Sequence, residues 1–323
     1  MASDPSEHPF VLRERWRCQS LIARGGGKSV WRAYDEQLHR PVAIRILAPP
    51  ETEPPGHRSR LEQLLTVAAT LRHDNVAHLY DAFEDDLGTV LVGELVEGPS
   101  LRELHDRLAP LPPEAVTAVG MQLADGVADI HAAGVAHRDL APENVRVTHD
   151  GRLKILGLGD ARLLADGAAT PALGLVEGSL YLAPEQLEGH PSDERTDVYA
   201  LGLMLWELAT GHRPFGDADD LLQAVERRTS EDLPALRRGW SSISKRLSRI
   251  VEKATRCDPE QRWQHASDLG AALRSHHPER PQGVLRDLAS ELLPAPPPPV
   301  DSLTPERLSV RPGSGGGSDR ALT

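Results

Sequence analysis

The residue types best suited to chemistry stand near the middle of the chain. The run His137-Arg138-Asp139-Leu140-Ala141-Pro142-Glu143-Asn144 sets a carboxylate, Asp139, five positions before a carboxamide, Asn144. A carboxylate can abstract a proton, and an amide oxygen can hold a hard cation. A second group lies near the start. Ala23-Arg24-Gly25-Gly26-Gly27-Lys28-Ser29-Val30 puts a lysine at the end of a glycine run, and Val42-Ala43-Ile44 is closed by Arg45. Glycine-rich backbone beside cations suits phosphate groups.

Those residues need a frame. Short β-type runs over 17–23, 28–35, 41–47, 76–83 and 89–96 predict a mostly antiparallel sheet. One helical segment, 58–71, interrupts them, with Leu61, Leu64, Leu65 and Ala68 at helical spacing. The later part reads as helix. Pro113 opens a run in which Val116, Val119, Leu123, Val127 and Ile130 recur at three and four, with Gly134 as its cap. A second run, 196–209, is apolar on nearly every side and predicts a central buried helix.

The segment 137–144 is similar to the catalytic loop of eukaryotic-type protein kinases. The same family order continues through Ala183-Pro184-Glu185, Asp197-Val198-Tyr199-Ala200-Leu201-Gly202, Gly211 to Phe215, and Asp258-Pro259 before Arg262. The resemblance covers about 13–276 and is nearest the bacterial serine/threonine kinases. It implies an α+β, two-lobed protein-kinase fold. A small N-terminal antiparallel sheet lobe with one helix takes up about 13–95, and a larger helical C-terminal lobe about 96–276. A disordered lead, 1–12, and a Pro/Gly-rich disordered tail, 277–323, flank them.

The resemblance also implies roles. Asp139 would be the base and Asn144 a metal ligand, while Gly25, Lys28, Val30, Ala43, Arg45, Glu94, Val96 and Arg146 would line the nucleotide site. Glu185 and Arg262 would form a buried ion pair, and Asp197 would hold the catalytic loop.

Against that pattern stand several departures. Arg45 replaces the sheet lysine that contacts phosphates, which keeps charge and changes geometry. Leu64 falls where the helix glutamate belongs, and Glu62 is out of phase. Gly157-Leu158-Gly159 stands for the magnesium-binding Asp-Phe-Gly, with Ala161-Arg162 fixing the register; Asp160, three positions past Gly157, reads as a solvated loop acid. Ala141 replaces a lysine, and Arg146 puts a charge where the family places a leucine beneath adenine. The glycine loop keeps only Gly25 in register. Lys28 takes the third glycine's place, where the with-no-lysine kinases carry their substitute lysine. Gly93 falls at the gatekeeper position, which opens either an enlarged pocket or a space that neighbours fill.

Two functions follow from the resemblance. The first is a catalytically impaired kinase-like domain, a pseudokinase, acting as scaffold or allosteric regulator through protein–protein binding, with an active kinase or another signalling protein as partner. The alternative is an atypical ATP-dependent serine/threonine kinase or other transferase using Lys28 in place of the sheet lysine. ATP and magnesium are the implied cofactors, and the departures argue against both. Thr170 and Ser179 are candidate modification sites or ordinary loop residues.

Composition narrows the classes further. A net charge of -12 argues against a broad nucleic-acid-binding surface. No apolar run approaches the roughly 18 residues a spanning helix requires. The start of the chain lacks a signal-peptide pattern, and the only cysteines, Cys18 and Cys257, lie far apart, so a cytoplasmic location is expected. The histidines, His73 and His78 among them, show no zinc spacing.

Overall fold

Period-two alternation builds the first lobe. The computed structural model describes residues 9–25, 27–48, 67, 71–158, 180–216, 221–237, 243–276 and 281–292. Six strands form one sheet in the order β1-β2-β3-β4-β6-β5. They are β1 Phe10–Leu12, β2 Trp16–Gly25, β3 Lys28–Asp35, β4 Arg40–Leu47, β5 Leu79–Asp85 and β6 Gly88–Glu94, and every neighbouring pair is antiparallel. On β4, Val42, Ile44 and Ile46 turn to a core shared with Trp16, Trp31, Phe83 and Val90. Ala43 and Arg45 therefore fall on the other face. Trp16 stacks on Phe83 at 4.9 Å between ring centroids. Beside them the buried Asp35 accepts two hydrogen bonds from Arg15, at 2.9 and 2.8 Å.

Two expected boundaries change here. The lead was expected to be without structure over 1–12, yet Phe10–Leu12 pairs with β2, because Phe10 packs edge-on against Trp31 at 5.0 Å and Leu12 is buried. The strand expected from 76 begins at Leu79. Val76 instead bridges to Ile155, and the Ala77 N–H donates to the Ile155 carbonyl at 2.9 Å, which ties the sheet lobe to the helical one. The helix expected over 58–71 lies outside the described residues except for Val67 and Leu71.

The second lobe contains eight α-helices among the described residues: α1 Leu101–Leu108, α2 Pro113–Ala132, α3 Pro184–Leu187, α4 Arg195–Thr210, α5 Leu221–Ser230, α6 Lys245–Ala254, α7 Ala266–Arg274 and α8 Pro281–Ser290. A small hairpin, β7 Val145–Val147 with β8 Leu153–Ile155, follows a 3-10 turn at Pro142–Asn144. Together the lobes make the α+β, two-lobed architecture expected. All residues of α4 from Thr196 to Thr210 are buried, so it is the axis of this lobe. Its glycine, Gly202, lets α6 approach closely: a Cβ there would lie 2.6 Å from Thr255 Cγ2.

The tail expectation is also corrected. Within 277–323, α8 forms and buries Leu285 and Ala289, with Val284 and Leu288 packed on the same core. These four apolar residues recur at helical spacing just ahead of the proline run, and burial of that face supports the helix.

Candidate functional site

The cleft face of the sheet is set by strand register. At the tip of the β2–β3 hairpin Gly25 pairs with Lys28, and Gly27 takes φ +74°. Val30 pairs with Arg45, Arg32 with Ala43 and Lys28 with Leu47. Directly paired residues share a face, so Lys28, Val30, Ala43 and Arg45 lie together on the side opposite the aromatic core.

Below them, the loop 137–144 hangs from α4. The Asp197 carboxylate, buried in that helix, accepts the N–H of His137 and of Arg138, each at 2.7 Å. His131 Nε2 lies 2.8 Å from the same carboxylate. Arg138 adopts φ +62°, an uncommon conformation for a side-chain-bearing residue that the two bonds to Asp197 hold in place. Asn144 Nδ2 donates to the Asp139 carbonyl at 2.8 Å and to its Oδ2 at 3.3 Å, which orients the acid. The Glu185–Arg262 pair is present and buried, with two bonds of 2.7 Å.

Two cations of the sheet meet this loop. Lys28 Nζ lies 3.6 Å from Asp139 Oδ2, with each side chain about one-quarter exposed (28% and 26%). Arg45 meets the segment after β8. Gly157 has φ +84°, and a Cβ added there would sit 3.6 Å from Arg45 Nη1 and 3.8 Å from Asn144 Oδ1. Thus Lys28, Arg45, Asp139, Asn144 and Gly157 converge.

The other expected residues lie at the edge of the cleft. Arg146, between the buried Val145 and Val147, donates from Nη1 to the Gly98 carbonyl at 2.5 Å. Glu94, at the end of β6, accepts from Lys154 Nζ and lies against His78 Nδ1, both at 3.0 Å. Burial alone would raise its pKa, but hydrogen bonds from Lys154 and His78 hold it below the usual range. Val96 is buried in the following segment. At Gly93 a Cβ would meet the His78 carbonyl at 2.9 Å, so backbone already fills the space and the glycine allows close approach of β5. Leu64, Glu62, Asp160, Thr170 and Ser179 lie outside the described residues.

One cluster had no forewarning in the sequence. Arg102 on α1 donates from Nε to Glu143 at 2.8 Å and from Nη1 to Glu207 at 2.7 Å, and it also bonds Tyr181. The only local signal is the capping box of Ser100 and Glu103, which starts α1 and so places Arg102 in its first turn.

A magnesium-held triphosphate does not fit the described donors. Asn144 offers one oxygen, Gly157 offers none, and the Arg45 guanidinium stands beside the place a carboxylate would occupy. Among the described residues no group of three His, Cys, Asp or Glu side chains is arranged to hold a metal ion.

The fold and this loop architecture define a protein kinase domain: residues 16–272 match the family of that name, and the chain belongs to it. Among its relatives is the serine/threonine-protein kinase PknL of Mycobacterium tuberculosis, 34% identical over 272 residues, covering 84% of this chain and 68% of that one. PknB of Mycobacterium leprae is 31% identical over 288 residues, covering 86% and 46%. PrkC of Bacillus subtilis is 31% identical over 261 residues, covering 81% and 40%. The chain therefore spans under half the length of the latter two. Among the described residues no helix is long and apolar enough to cross a membrane.

Proposed function

We propose that this protein kinase domain has lost magnesium-assisted phosphoryl transfer and works by protein binding, as a scaffold or allosteric regulator of an active kinase or another signalling protein. The observation that carries the proposal is the Arg45 guanidinium facing Gly157 and Asn144. Phosphoryl transfer depends on a cation held on the phosphates beside an oriented base. Here Arg45 approaches that place, Gly157 brings no carboxylate to it, Ala141 supplies no charge, and Lys28 lies 3.6 Å from Asp139. Each lost transition-state contact costs on the order of 10²–10³ in rate. The residues that hold the fold, Glu185, Arg262 and Asp197, keep their bonds, so the departures fall on the chemistry and leave the scaffold intact.

The second hypothesis is an atypical transferase in which Lys28 serves as the phosphate-binding lysine, and the reach of Lys28 to Asp139 favours it. Incubation with radiolabelled ATP and magnesium or manganese, with and without a generic protein substrate, separates the two. The expected label equals that of Asp139→Asn. Label that depends on Asp139 establishes the transferase and ends the first proposal.

A further inference from the structure

We infer that the outer face of α6, Lys245–Ala254, is a docking surface for a carboxylate-rich segment of a partner protein. The inference rests on the reading proposed above, that the domain works by protein binding, and gives that partner its chemistry.

The sequence of α6 divides it into two faces. Leu247, Ser248, Ile250, Val251 and Ala254 are buried, while Lys245, Arg246, Arg249 and Lys253 are exposed. At about 100° per residue these cations fall within about 100° of arc, and from Lys245 to Lys253 they run about 12 Å along the axis. Such a face is unfavourable by itself. Lys245 with Arg249 and Arg249 with Lys253 are like-charge pairs four residues apart, and Lys245 and Arg246 stand in the first turn, where the helix dipole favours carboxylates. The one acid of the helix, Glu252, accepts the hydroxyl of the buried Ser248.

The surroundings of this face hold its cations without neutralising them. Lys253 Nζ lies over the Trp263 ring at 3.9 Å, and that ring is fixed by its Nε1, which donates to the Ile250 carbonyl at 3.0 Å. Arg246 donates to the Ser275 hydroxyl. Both partners are uncharged, and among the described residues none of the four cations is in an ion pair. Elsewhere on the helical lobe Arg274 is matched by Asp125, Arg256 by Asp232, and Arg195 by Asp193 and Glu260. A row of carboxylates laid along α6 would relieve the repulsion and the conflict with the dipole together, so the complementary partner is an acidic protein segment. Two other polyanions fit less well. A lipid surface draws on apolar residues inserted beside the charges, and among the described residues the large exposed ones, Val11, Leu21, Ile22, Leu38, Tyr80 and Leu87, all belong to the sheet lobe. Nucleic acid is disfavoured by the net charge of -12.

The test is fluorescence anisotropy of a labelled decaglutamate peptide with the full chain, with Lys245→Gln/Arg249→Gln, and with the charge-matched control Arg17→Gln/Arg152→Gln, whose arginines already pair with carboxylates. All four residues are exposed, so both variants should fold, and the first should keep or raise the melting temperature because it removes like-charge repulsion. The expected result is binding to the parent and the control that sodium chloride weakens and that Lys245→Gln/Arg249→Gln lowers roughly tenfold. Absence of peptide binding to the parent overturns the inference, as does binding indifferent to Lys245→Gln/Arg249→Gln or weakened equally in the control. Phosphatidylserine vesicles or a DNA duplex bound through the same two residues more tightly than the peptide overturn it as well. So does a dimer in sedimentation that Lys245→Gln/Arg249→Gln breaks, which assigns the face to a second copy of this chain. Any of these results leaves the loss of transfer standing, whereas Asp139-dependent labelling removes that loss whatever the anisotropy reads.

Discussion

At Gly157 the backbone is left-handed, with φ +84°, and Arg45 Nη1 lies 3.6 Å from an added Cβ. Aspartate tolerates that conformation better than most residues. Gly157→Asp should therefore fold, but its carboxylate should pair with Arg45 rather than wait for a cation. We expect no magnesium-dependent rise in melting temperature with ATP for the single variant and a rise for Gly157→Asp/Arg45→Lys; a rise in the single variant would show that Arg45 does not bar the metal. Asp35 gives a prediction in pH. Hydrogen bonds from Arg15 bring its pKa down to about 2, below the unfolded value of about 3.9. Its contribution is thus present above about pH 4 and is lost as pH falls through 2. Thermal melts from pH 6 to 2 should show Asp35→Asn less stable at pH 6 and less steeply dependent on acid than the parent. Parallel curves would remove Asp35 as a source of acid sensitivity.

Among the elements, α1, the loop 137–144, Tyr181 ahead of α3, and α4 are stapled by one guanidinium. Burial alone would lower the pKa of Arg102, but its contacts with Tyr181 and Glu207 raise it, while burial pushes the Tyr181 hydroxyl well above its usual value. Glu207 is 1% exposed, so removing its partner strands a buried charge. Arg102→Met should cost about 3–5 kcal/mol in urea unfolding, and adding Glu207→Gln should recover much of it, since neutralising both ends removes the uncompensated carboxylate. Equal losses in the single and double variants would mean that packing, not charge, sets the cost.

For the whole molecule, the domain extends past the last residue matched by the family, because α8 contributes Leu285 and Ala289 to the main core. Leu285→Ala should cost about 2–5 kcal/mol, as for other buried leucines. Ending the chain at His276 should lower the melting temperature in the same direction. A full-length melting temperature in the shortened chain would make α8 an attachment rather than part of the core. The lobes are joined through Glu94 with Lys154, and through Asn75, whose buried side chain donates to Gln122 and to the Leu153 carbonyl at 2.8 Å each.

Local pattern carried much of this protein. The alternation of Val42, Ile44 and Ile46 fixed which side of β4 Arg45 faces, Pro113 marked the start of α2, and the all-apolar run from 196 marked the buried α4, because period and capping act over a few residues. The order 137–144, 183–185 and 258–262 carried the family and with it the Glu185–Arg262 pair. Short or weakly patterned elements, β1 and α8, escaped, since their stability comes from the surfaces they cover. Tertiary structure alone decided that Arg45 meets Gly157, that Lys28 meets Asp139 and that Arg102 meets Glu207. A strand's period says which face a cation takes, but which groups it meets depends on how the two lobes pack, through pairs more than a hundred residues apart such as Lys28 with Asp139.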